Sequence, residues 1–241
     1  MPHRILAAGL LCAAFSSCHE PRPAILYGPA QTLKAEDYPD VLKTWTRSAK
    51  VYAVLEDKLF VTATFHSPEF RRVFPIAFPE IYGQGGEITR RELVDLTGDV
   101  ESYFNFFLAV YTPVSKWNDL DRKDSIWRLT LISFEDVAVG PSQILSIKID
   151  ENLRAVYPYI GHFDKCYLVR FPMTDPMKRL VIGAESKGVK LRIASALGVA
   201  ELPWELVVVP GAEPPKPLPT RIAPGDENEG EQPSTAPATA P

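Results

Sequence analysis

From Ser102 to Tyr111 nearly every position is apolar, and Pro113 ends the run. A strand apolar on both faces must be buried on both, so this segment is expected in the middle of a sheet covered on each side. A polar turn follows from Trp117 to Asp124. Ser125 to Ser133 then runs back with Trp127, Leu129 and Leu131 on one face, an alternation that buries only that face. The two segments are read as a pair at the centre of one β-rich domain. Other strands are expected at Trp45 to Tyr52 and at Leu59 to Phe65, where Leu59, Val61, Ala63 and Phe65 share a face. Further strands follow at Ile144 to Ile149, Tyr167 to Phe171, Leu180 to Ala184, Val189 to Ile193 and Leu202 to Val208. Glu185 to Gly188 reads as a hairpin turn between two of them. Leu153 to Tyr159 is ambiguous between a short helix and a loop.

Helical signals interrupt the strand pattern. Ser67, Pro68 and Glu69 supply an N-cap, a first-position proline and a first-turn acid, with Phe70, Val73 and Phe74 as the apolar stripe. Pro75 and Pro79 are expected to break that helix early. Thr89 to Glu92 forms a capping box, and Gly98 is the expected stop. The fold expectation is therefore mainly β: a β-sandwich with a short helical insertion at about 67–98. The strand order near the end, with Tyr167, Val169 and Phe171 ahead of two or three more strands, resembles an immunoglobulin-like β-sandwich. The resemblance is one of architecture, because the Cys-Trp-Cys core of antibody domains is absent.

Both ends fall outside that pattern. Ile5 to Phe15 is an apolar run behind the basic start of Arg4. It is too short to span a bilayer, which takes about 20 residues, and suits the core of an export signal. Ser16, Ser17 and Cys18 follow. Phe15-Ser16-Ser17-Cys18 resembles the lipobox of bacterial lipoproteins, although Phe15 stands where Leu is usual, which leaves room for ordinary cleavage near Ser16 or Ser17. The resemblance implies that Cys18 becomes the first mature residue and carries the lipid, a diacylglyceryl group plus an N-acyl chain such as palmitate. Stable anchoring takes at least two such chains. His19 stands where Asp often marks inner-membrane retention, which leans the expectation to the outer membrane of the cell envelope, facing the periplasm or the surface. Four prolines from Pro21 to Pro39 suggest a tether. From Pro210 the chain is rich in proline and acids, and cannot bury enough apolar surface to offset ordering. The expected organisation is a signal peptide at 1–17, a lipidated tether at 18–38, a domain at 39–209 and a disordered acidic tail at 210–241.

Charge and motifs narrow the chemistry. The net charge of −4 gives no basic field, so no nucleic-acid partner is expected. Once the signal is removed only Cys18 and Cys166 remain, so no disulfide framework is available. Gly83 to Gly86 lacks the following Lys and Ser or Thr of a phosphate cradle. No His-Glu-x-x-His and no Gly-x-Ser-x-Gly is present, so neither a zinc site nor a hydrolase elbow is proposed. Cys166 with His162 as its base is the one nucleophile pairing available, and a buried inert thiol is its alternative. Asp119, Asp121 and Asp124 could hold calcium, but Arg122 and Lys123 sit among them; the other reading has Asn118 and Asp119 making turn hydrogen bonds while Trp117 anchors the loop. Trp117, Asp119 and Asp121 are the candidate binding-loop residues. No catalytic residue, metal or cofactor is assigned. The expectation is a non-catalytic, membrane-anchored binding or scaffolding protein whose partners are envelope proteins or glycans. The alternative is a carbohydrate- or peptidoglycan-active envelope protein.

Overall fold

The computed structural model describes residues 24–27, 32–53, 55–79 and 103–208. The signal segment, Cys18, the phosphate-cradle look-alike at Gly83, the capping box at Thr89 and the tail from 210 lie outside the described residues. The strands among those described are β1 (Ala24–Tyr27), β2 (Thr46–Ala53), β3 (Glu56–Phe65), β4 (Tyr103–Tyr111), β5 (Arg128–Ser133), β6 (Ala138–Val139), β7 (Gln143–Ile147), β8 (Lys165–Pro172), β9 (Gly188–Ser195) and β10 (Gly198–Val208). The helices are α1 (Tyr38–Trp45), α2 (Pro68–Ala77) and α3 (Glu151–Val156). The strands form two five-stranded sheets, ordered β1-β10-β9-β5-β6 and β2-β3-β4-β8-β7. The protein is a mainly β sandwich, with the two-sheet architecture expected of it.

Aromatic packing joins the sheets. Trp204 on β10 lies with its ring 5.3 Å from Phe106 and 6.4 Å from Phe65, and the two phenylalanines stack at 4.8 Å. Phe171 meets Phe106 edge-on at 5.7 Å. Trp204 is fully buried, so its indole N–H needs a partner; it donates to the carbonyl of Trp45 at 2.9 Å. Arg47 closes the same corner by donating from Nε to the carbonyl of Pro203 at 3.0 Å. Gly198 completes it with φ +141°, where an added Cβ would meet Val51 Cγ1 at 2.5 Å.

The central position of β4 follows from its composition. Phe104, Phe106, Leu108 and Val110 face the other sheet. Asn105, Phe107 and Ala109 face outward, yet they too are buried. Tyr157, just after α3, covers that outer face, stacking on Phe107 at 3.8 Å. β5 also alternates as expected, burying Leu129, Leu131 and Ser133. The expected pairing of the two is not what forms. β4 lies between β3 and β8, whereas β5 lies between β9 and β6 in the opposite sheet. Residues 112–127 cross from sheet to sheet, which a tight hairpin turn would not allow.

Other boundaries shift for identifiable reasons. Ser67 caps α2 by accepting from the Phe70 N–H at 3.1 Å, but the helix continues past Pro75 to Ala77. Of the ambiguous stretch Leu153 to Tyr159, the first four residues belong to α3, capped when Asp150 accepts from the Leu153 N–H at 2.8 Å, and the rest is a turn. Leu180 to Ala184 is not a strand. Leu180 makes only an isolated bridge to Thr174, and the hairpin instead joins β9 to β10. Within the stretch expected as tether, Ala24–Tyr27 pairs in parallel with Leu206 to Val208. Among the described residues no helix is long and apolar enough to cross a membrane.

Candidate functional site

The 112–127 crossing carries the three candidate loop residues, and Asn118 organises it. Buried Asn118 donates from Nδ2 to the Val110 carbonyl at 2.7 Å. Its backbone and side-chain oxygens each accept from the Tyr167 hydroxyl at 2.9 Å, and its backbone carbonyl also accepts from Lys165 Nζ at 2.7 Å. Burial, then the negative charges of Asp121 and Asp119, raise the Tyr167 hydroxyl, which stays protonated as a donor. Trp117 is half-buried, and its carbonyl accepts from the Trp127 indole at 2.9 Å. Asp119 accepts from Ser125 Oγ at 2.8 Å, and Asp121 is exposed. The structure therefore ties Asp119 to Ser125 and leaves Asp121 in solvent. Among the described residues no three His, Cys, Asp or Glu side chains converge as a metal-binding group.

Beside this loop stands an aromatic ridge that the strand pattern does not reveal. Phe60 on β3 and Tyr111 on β4 are directly opposite in the antiparallel register, with rings 5.9 Å apart. Tyr111 lies 6.4 Å from Phe163, and Phe163 lies 5.4 Å from His162. Phe163 is 76% exposed and Leu55, in the turn between β2 and β3, is 88% exposed. The rings tilt by 43° and 47°, so they form a ridge and not a flat stacking platform. Ridge, Leu55 and the Trp117 loop all sit at one end of the sandwich. Finding Phe60 beside Tyr111 requires the strand pairing, and Phe163 lies outside any regular element.

Of the pair that could have supplied nucleophile and base, the thiol is enclosed and the imidazole is not. Cys166 is fully buried on β8, and burial pushes its thiol up to about 12, away from the reactive thiolate. His162 is exposed in the turn before β8. His66, which the sequence reading did not single out for a role, is fully buried just beyond β3. Its Nε2 is 2.8 Å from the Tyr157 hydroxyl, and its ring stacks on Phe70 at 4.9 Å. Burial first, and the Arg71 charge second, lower it to about 3, so it is neutral. Nearby, Tyr38 donates to the Val156 carbonyl at 2.6 Å, and Thr64 bonds both Thr46 and Tyr159 at 2.7 Å. These bonds form a polar seam that seats α1 and α3 on the outer face of the β4 sheet. They satisfy buried groups that would otherwise destabilise the fold.

Comparison with known protein families, with curated proteins and with solved structures finds no match for this chain.

Proposed function

We propose that this chain is a cell-envelope lipoprotein that binds a partner and does not transform it. In this reading acylated Cys18 holds the sandwich at a membrane, and the end bearing Phe60, Tyr111, Phe163 and the Trp117 loop grips an envelope component. The observation that carries the binding role is the aromatic ridge. Exposed aromatic side chains lose little entropy on contact and supply large buried area, which is why they dominate binding surfaces. The ridge also stands on a fixed base, since Phe60 and Tyr111 belong to paired strands and Asn118 pins the adjoining loop. The enclosure of Cys166 and His66 supports binding over catalysis. Support for the anchor comes from the Ser16-Ser17-Cys18 pattern behind an 11-residue apolar run from Ile5 to Phe15.

The test is capture from detergent-solubilised envelopes with the full chain and with a Phe60→Ser, Phe163→Ser double variant. The same partner should be recovered repeatedly with the wild type and fall about tenfold or more with the variant, as loss of central aromatic contacts does. Equal recovery by both, or no specific partner, overturns the reading.

A further inference from the structure

The surface around the aromatic ridge is built from two kinds of group. Lys50, Phe60 and Tyr111 stand directly opposite one another on β2, β3 and β4, so their side chains form one row on the outer face of the sheet. Phe163 prolongs the row beyond Tyr111, and the exposed cation of Lys50 closes it at the other end. The tilts of 43° and 47° leave an apolar notch on either side of Tyr111. Two residues along the strands, about 7 Å from the row, Ser48 and Thr62 pair through their hydroxyls at 2.8 Å on the exposed surface. Two hydroxyls hold two hydrogens and their mutual bond uses one, so the pair still has a donor to offer. Notches and hydrogen-bond donors thus lie side by side on a fixed sheet.

Such a surface suits a proline-rich chain. Proline lacks the backbone N–H, so a polyproline II segment offers apolar rings and carbonyl acceptors, and takes aromatic notches and donors in return. A sugar ring stacks on a flat face, which the tilted rings do not supply. The chain contains a segment of the required kind, Pro214-Pro215-Lys216-Pro217-Leu218-Pro219, with Glu213 ahead of it as the counterpart of Lys50. The segment lies outside the described residues and starts six residues beyond Val208, the end of β10.

We infer that the Pro214 to Pro219 segment of one copy docks across the Phe60-Tyr111-Phe163 ridge of a second copy. The inference rests on the ridge being the binding surface, and it names the component gripped there as another copy of this chain. Reach decides between a copy's own ridge and its neighbour's. A Cβ on Gly198 would touch Val51, the residue after Lys50, so the ridge row is level with the start of β10. Val208 lies at the opposite end, ten residues further on, or about 33 Å away. Pro214 can stand at most about 22 Å from Val208, so the segment falls short of its own ridge even along a straight line. Two copies that exchange segments fill both ridges and close as a pair.

The experiment produces two full chains in the same cells. One carries Phe163→p-benzoylphenylalanine, a photocrosslinking side chain; the other is wild type with an epitope tag. Irradiation should give a tagged product of two chains, in which position 163 of one copy is joined to the peptide holding Pro214 to Pro219 of the other. A Pro215→Ser, Pro217→Ser change in the tagged chain should lower that product about tenfold, and leaves the sheets intact because neither residue belongs to β10. Attachment within one copy, or to any other part of the chain, overturns the inference. Attachment to a different envelope molecule overturns it and leaves the ridge as a binding surface. No product with any molecule overturns both.

Discussion

At the residue scale, polar groups decide more of this structure than their number suggests. The loop's sequence offers Asn118 and Asp119 for turn hydrogen bonds with Trp117 as the anchor; buried Asn118 holds the loop with four hydrogen bonds, while Trp117 is only half-buried. An amide that must satisfy both donor and acceptor atoms fixes a crossing chain more specifically than an apolar ring does. No periodicity marks such a residue. Cys166 shows the opposite case, since its place in the strand alternation already set it against Tyr167, and it is buried. His66 leads to a pH prediction. The folded chain refuses a proton at His66 until about pH 3, while the unfolded chain accepts one as pH falls below 6.5. Stability is therefore intact above 6.5 and lost between 6.5 and about 3, by up to about 1.4 kcal/mol per pH unit. Urea unfolding across that window should show a steeper loss in wild type than in a His66→Gln variant. Equal slopes contradict the assignment.

At the element scale, what alternation could say was said by alternation. It located β2, β3, β4, β7, β8 and β10 within a few residues, and it placed β4 in mid-sheet. It could not say which strands pair. β4 and β5 look like the two arms of a hairpin, yet they belong to opposite sheets. β4 needs both faces buried and β5 one, and a sandwich meets both needs with the two strands facing each other across the core. Leu180 to Ala184 looked like a strand because it is apolar, but Val181 and Ile182 root a hairpin instead. Ala24–Tyr27 was hidden because a four-residue edge strand barely differs in pattern from a tether. The corner that joins the sheets yields a mutational prediction. Gly198→Ala would push a Cβ into Val51 at a φ that side chains rarely adopt. It should cost about 1–3 kcal/mol, lowering the chemical denaturation midpoint without changing its slope. A neutral effect would mean β2 and β10 do not approach as described.

At the scale of the whole molecule, the two ends of the sandwich differ in the side chains they expose. One end gathers Phe60, Tyr111, Phe163 and a loop pinned by Asn118; the other, where β8 and β10 end, presents Met177 and Leu180. The architecture was legible in the sequence because a buried core has to repeat its pattern. The chemical difference between the ends was not, since it depends on which loops the topology brings together. In the proposed reading Cys18, six residues ahead of β1, holds this sandwich at a membrane. The most direct measurement is the mass of the amino-terminal peptide of the mature protein isolated from membranes. We predict a chain that starts at Cys18 and bears a diacylglyceryl group with a further acyl chain. A chain that starts elsewhere, or a Cys18 with a free thiol, would contradict the account.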